Sequence, residues 1–204
     1  MAVHRIPSGT RDVLPDEMRE LRAVTDRIRE VFERAAYGEV YTPALEYEGT
    51  LARGDLSATR PGYRVFDEQG NVLVLRSDMT VPIARVAATR YSHVEPPLRF
   101  SYFAHAYRGV RPQRGQPREF LQAGVELIGA AAPEGTAEVL QVLCAALDAA
   151  GLQTYRVGVG DASLYPALLE THRVPETARE RRNHPNNRRP INDRKGKADT
   201  RGGN

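Results

Sequence analysis

Residues 107–129 read YRGVRPQRGQPREFLQAGVELIG. Arg108, Arg111, Arg114 and Arg118 crowd a stretch that also carries Gly and Pro, which predicts a basic loop between two extended segments. Forked guanidinium donors in that number suit an anion such as a phosphate or a carboxylate. A solvated basic loop is the plainer alternative. Past the loop, Gln122, Gly124 and Glu126 alternate with Leu121, Ala123 and Val125. A strand of that period puts the polar residues on one face and buries the apolar ones on the other. Next to arginines, such a face suits a zwitterion, with guanidinium for the carboxylate and a carboxylate for the ammonium.

Working outward, Arg99–Arg108 carries Phe100 and Tyr102 at alternate positions, with Phe103 out of step, so 99–108 and 120–128 are expected to pair antiparallel about the basic loop. The spacing of Leu21, Val24, Ile28, Val31, Phe32 and Ala35 predicts a helix from Asp16 to about Tyr37, opened by Pro15 and Asp16 and stopped by Gly38. Val40–Leu45 reads as a short extended segment ending near Pro43. Tyr63–Phe66 and Val72–Arg76 read as a hairpin about the turn-forming run 67–71. Thr80–Tyr91 reads as a helix, as does the stretch from Pro133 to a stop at Gly151. A strand over Tyr155–Val159 leading into a short helix in GDASLYPALLE completes the pattern. The expected fold class is α+β, an antiparallel sheet flanked by helices.

The chain has 204 residues, 41% hydrophobic and 27% charged, enough for one substantial core and too apolar for a disordered protein. Its net charge of +3 is unevenly placed. Residues 173–204 hold ten Lys/Arg and four Asp/Glu, while the first 172 hold 19 basic and 22 acidic residues. The body, residues 1–172, therefore reads as one mildly acidic domain. The basic tail, residues 173–204, has few apolar residues and no periodicity, so disorder is expected there. Its composition changes abruptly after ASLYPALLETHRVPE, as a shifted reading frame would produce. An arginine-rich arm that binds RNA is the functional rival. The lone Cys144 lies in the apolar run VLQVLCAAL and reads as a packed thiol. No apolar run is long enough for a membrane span and the N-terminus lacks a signal core, so a cytoplasmic protein without membrane contact is expected.

Several chemistries find no support. The histidines at 4, 93, 105, 172 and 184 have no metal-ligand spacing. GVGD at 158–161 lacks the third glycine and the βαβ setting of a dinucleotide loop. There is no GxxxxGK[ST] loop and no GxSxG elbow, so neither a metal nor another cofactor is expected.

Three segments in order, IPSGTRDVLPDE (6–17), LRSDMTVPIAR (75–85) and 107–129, resemble the catalytic core of histidyl-tRNA synthetase, a class II aminoacyl-tRNA synthetase. They resemble still more its paralogue family, the regulatory subunits of ATP phosphoribosyltransferase. The likeness covers about the first 172 residues. It implies a class II synthetase-like sheet, incomplete at the C-terminus, with Pro43 in the motif that forms dimers and 107–129 as the strand-loop-strand motif over which ATP lies in the synthetase. Position by position, it implies Asp78 on the ammonium of histidine with Thr80 beside it, Arg108 on the carboxylate side, and Gln122 and Glu126 in the amino-acid pocket. Plain alternatives are that Asp78 caps the helix starting near Thr80 and that Gln122 and Glu126 are exposed sheet residues. Arg111, Arg114 and Arg118 remain an anion-binding loop.

Departures separate the two relatives. Where the synthetase has a glutamate contacting the nucleotide, this chain has Val110, which cannot accept a hydrogen bond from adenine. No third class II motif, histidine-specific arginine segment or anticodon-binding domain follows. The resemblance therefore implies a non-catalytic regulatory subunit: it partners a short-form ATP phosphoribosyltransferase catalytic subunit, forms dimers, takes histidine as effector and does not charge tRNA. A histidyl-tRNA synthetase fragment is the alternative.

Overall fold

The computed structural model describes residues 6–54, 62–109, 117–161 and 163–173. In chain order the elements are α1 (Pro15–Arg34), β1 (Gly38–Glu39), β2 (Leu45–Tyr47), α2 (Glu48–Gly54), β3 (Arg64–Phe66), β4 (Val72–Leu75), α3 (Thr80–Arg90), β5 (Leu98–Tyr107), β6 (Glu119–Ile128), α4 (Glu134–Ala149) and α5 (Leu164–Thr171). They form two units, Met1–Thr154 and Tyr155–Asn204.

The expected strand pair is the backbone of the first unit. β5 and β6 pair antiparallel along their whole length, from Leu98 opposite Ile128 to Tyr107 opposite Glu119. Residues directly opposite share a face, so the register sorts the side chains into two sets. Phe103, Val125 and Leu127 pack with Ile28, Val31 and Phe32 of α1 and with Val142 and Ala146 of α4. Phe100, Tyr102 and Ala104 instead join Met79, Ile83 and Ala87 at the start of and along α3. Gln122, Gly124 and Glu126 lie opposite Ala104, Tyr102 and Phe100, on the α3 side. The alternation read from the sequence holds, but the polar face is not a bare surface. It lies beside a second core.

α1 runs almost as expected, with Pro15 in its first turn, but its end differs. Gly38 does not stop it. Ala36 turns the chain with φ 63°, the N–H of Ala36 donates to the Glu33 carbonyl and that of Tyr37 to the Phe32 carbonyl. This is a Schellman closure, with Tyr37 and Phe32 in the same core cluster. The glycine is displaced because that buried aromatic packing sets where the chain leaves the helix.

The stretch expected as one extended segment at 40–45 is divided. β1 pairs parallel with β5, Gly38 opposite Phe100, so the first sheet (β1-β5-β6) is not wholly antiparallel. β2 pairs antiparallel with β4, which also pairs with β3, in a second sheet of order β2-β4-β3. Residues 40–44 pass from one sheet to the other. On one face of the second sheet Leu45, Tyr47, Leu73, Leu75 and Val65 stand together, and Leu45, Tyr47 and Val65 are exposed. The opposite face carries buried Val74 and Glu46, the latter tied to Arg85 of α3 at 2.6 Å.

Arg99 of β5 and Tyr37 both reach Glu138 of α4, at 2.7 Å each. Arginine pairing first, then the tyrosine hydroxyl, hold the Glu138 carboxyl down at about 2.

In the second unit the strand expected over Tyr155–Val159 is absent: residues 155–160 belong to no strand among the described residues. The short helix is present as α5. Asp161 Oδ1 accepts from the N–H and the hydroxyl of Ser163 at its start. Residues 174–204 lie outside the described residues, as do Val110, Arg111 and Arg114.

Candidate functional site

Asp78 sits in the link between β4 and α3, and Thr80 opens α3. One carboxylate oxygen of Asp78 accepts the N–H of Thr80 at 3.1 Å and the other accepts the Ser77 hydroxyl at 3.3 Å. The N-cap of α3 is Met79, so Asp78 does not cap the helix as the alternative expected; it holds the first helical N–H from one residue further out. It also leaves Thr80 free to turn its hydroxyl elsewhere: Oγ1 donates to Glu126 Oε1 at 2.8 Å. A helix start and the C-terminal part of β6 are joined by that bond.

The position of Glu126 works against its charge. Burial pushes its carboxyl upward first, the Thr80 hydroxyl pulls it back, and the negative charge of Asp78 adds to the rise. Two residues before Gly124, Gln122 donates from Nε2 to the Tyr102 hydroxyl at 3.1 Å. Its Oε1 is buried and has no hydrogen-bond partner in the protein. Such orphaned acceptors are uncommon because desolvation without a replacement bond is costly.

Tyr102 is a member of the group that sequence reasoning missed. Its ring crosses directly over Gly124, where an added Cβ would come within 2.5 Å of the hydroxyl oxygen. The available signal was a glycine interrupting an otherwise regular strand, which marks a close approach. Burial, then the charges of Glu126 and Asp78, push the Tyr102 hydroxyl up to about 12, so it stays protonated at neutral pH.

Asp78, Thr80, Gln122 and Glu126 therefore gather with Tyr102 around the α3 start. The group is rich in acceptors and carries two carboxylates. Its chemistry suits a donor with positive charge. Among the described residues no group of three or more His, Cys, Asp or Glu is arranged to hold a metal ion.

Of the predicted arginines, the two among the described residues, Arg108 and Arg118, stand elsewhere. Arg108 leaves the end of β5 remote from Glu126; its side chain is exposed and its guanidinium lies 4.6 Å over the Phe120 ring. Arg118 is strapped to the N-terminal segment: its N–H donates to the Gly9 carbonyl at 2.7 Å and its guanidinium to the Ser8 carbonyl at 3.1 Å. Gly9 has φ +83° and packs against the Arg118 side chain, a conformation and closeness that favour glycine.

The sequence pattern of histidyl-tRNA synthetase matches residues 9–190, most of the chain. The chain belongs to the histidyl-tRNA synthetase family. Within that family it is similar to proteins named ATP phosphoribosyltransferase regulatory subunit. The one from Symbiobacterium thermophilum is 41% identical over 176 residues, covering 85% of this chain and 44% of the relative. The one from Desulforamulus reducens is 37% identical over 172 residues, covering 84% and 43%. Among solved structures, an ATP phosphoribosyltransferase regulatory subunit/histidyl-tRNA synthetase from Bacillus halodurans superposes with a TM-score of 0.80 at 34% identity, covering 89% of this chain and 47% of that one. The fold is the histidyl-tRNA synthetase fold, as expected, and the chain spans under half the length of the curated relatives it matches.

Proposed function

We propose that the chain acts as the non-catalytic regulatory subunit of a short-form ATP phosphoribosyltransferase, the enzyme that joins ATP and phosphoribosyl pyrophosphate, and that histidine is its effector. The names of its relatives in this family support the partnership. The observation that carries the ligand reading is the acceptor cluster: Glu126 and Asp78 at the α3 start, and the buried, unpartnered Oε1 of Gln122 joined to them through Tyr102. The α-ammonium of histidine supplies three donors and a positive charge to such a set. Arg108, exposed and resting on the Phe120 ring at the far end of β5, stands outside this acceptor cluster. Feedback then requires only that histidine bind one state of the assembly better than another. The segment around exposed Pro43, with Tyr41 87% exposed beside it, supports self-association there.

Calorimetric titration of the chain with histidine and with its 2-hydroxy analogue, which lacks the ammonium, tests the ligand reading. Histidine should bind at least about tenfold tighter, since a site of buried acceptors rejects a ligand that leaves them unpaired. Equal affinity for the two, or no binding of either, would sink it.

A further inference from the structure

Among the described residues Arg76 is the only buried cation, 3% exposed, and its guanidinium meets no carboxylate. The buried Glu46 is held by Arg85 instead. Arg76 Nε donates to the His105 carbonyl at 2.8 Å. Nη1 donates to the carbonyls of Thr42 and Pro43, at 2.7 and 3.1 Å, and lies 3.2 Å from the Thr42 hydroxyl. The main chain of the same residue continues the pattern: its N–H donates to the Ala44 carbonyl and its carbonyl accepts from the N–H of Tyr107, each at 2.9 Å. One residue thus ties the segment 42–44 that crosses between the sheets, the end of β5 from which Arg108 departs, and the link that carries Asp78 two positions on.

We propose that Arg76 is a positioning residue that couples occupancy of the Asp78–Glu126 site to the Thr42–Ala44 segment, and so to the exposed apolar face that begins at Leu45. The inference rests on the histidine reading above. A buried fork cannot leave its donors unpaired, so movement of the Ser77–Asp78 link when an ammonium arrives carries the carbonyls of 42 and 43 with it. The planar geometry is what allows one side chain to grip two segments at once, and a lysine does not reproduce it.

The chain carries natural reporters at both ends: Met79, fully buried next to Asp78, and Thr42, 1% exposed. With Met and Thr methyl groups isotopically labelled, a histidine titration followed by NMR should shift both signals with one Kd. In Arg76→Lys the Met79 shift should persist at saturation while the Thr42 shift falls at least threefold, a separation that general loosening would not produce. Because coupling is reciprocal, Thr42→Val should weaken histidine binding about fivefold, and this variant decides the matter if Arg76→Lys fails to fold. A Met79 signal that moves while Thr42 stays still, a Thr42 shift undiminished in Arg76→Lys, or unchanged affinity in Thr42→Val would each overturn the coupling and leave the histidine site standing. A Met79 signal that never moves would overturn the histidine reading itself.

Discussion

Burial works against the charge of Glu126 and Asp78 adds repulsion, so the folded protein holds this carboxyl above its ordinary value. A carboxyl raised on folding lends stability that is present at low pH and lost as pH rises through the raised value. Glu126→Gln, which cannot ionise, should therefore melt at a higher temperature than the wild type at pH 7 to 8. The difference should close as pH falls toward 4.5, the ordinary value. The same variant should bind histidine at least tenfold more weakly. Higher stability with lost binding is the pattern of a site that keeps a destabilising charge for its ligand; a variant that melts lower at neutral pH would contradict it. Gly124 gives a second test. An alanine there drives a methyl into the Tyr102 ring, and overpacking of this kind costs about 1–3 kcal/mol, measurable by urea unfolding. That Gln122 and Glu126 share a face was legible from the period-two pattern. That Thr80, 46 residues away from Glu126, meets it was not: only the family resemblance placed them together, because contacts between distant segments leave no local pattern.

At the scale of elements, α1 shows where local signals lose to packing. Its apolar spacing located the helix to within a few residues, yet the stop assigned to Gly38 falls on Ala36, since the packing of Phe32 with Tyr37 fixes the closure. Ala36 holds φ 63°, a region that costs a residue with a Cβ about 1–2 kcal/mol. Ala36→Gly should stabilise the chain by about 0.5–1 kcal/mol in the same unfolding assay; a loss would show that the alanine methyl contributes packing that outweighs the strain. The join between β5 and α4 has its own signature. Glu138, held near 2 by Arg99 and Tyr37, contributes stability that is complete above its ordinary 4.5 and lost as pH falls toward 2. Glu138→Gln should be less stable than the wild type at pH 7 and show a flatter decline between pH 4.5 and 2 in thermal melts. The missing strand at 155–159 illustrates the reverse failure: alternation of Tyr155, Val157 and Val159 is a sound strand pattern, but a ladder needs a neighbour that sequence alone does not supply.

Across the whole molecule, the long strand pair and the three core-forming helices α1, α3 and α4 were legible in the order of the residues, and three short segments were enough to carry the family resemblance. The division of residues 38–47 between two sheets was not legible, and it matters most for assembly. It leaves Tyr41, Leu45 and Tyr47 exposed along one stretch with Val65 on the same sheet face as Leu45 and Tyr47. Apolar residues grouped in this way mark interaction surfaces. The proposed self-association predicts that Tyr41→Glu shifts the sedimentation of the chain toward the monomer without lowering its melting temperature; an unchanged sedimentation profile would contradict self-association at this face. The regulatory account itself is tested most directly by assaying a short-form ATP phosphoribosyltransferase with and without this chain while histidine is titrated. The account predicts stimulation by the chain, reversed by histidine, with no histidine-dependent exchange of pyrophosphate into ATP by the chain alone. Absence of stimulation at saturating chain, or clear pyrophosphate exchange, would contradict it.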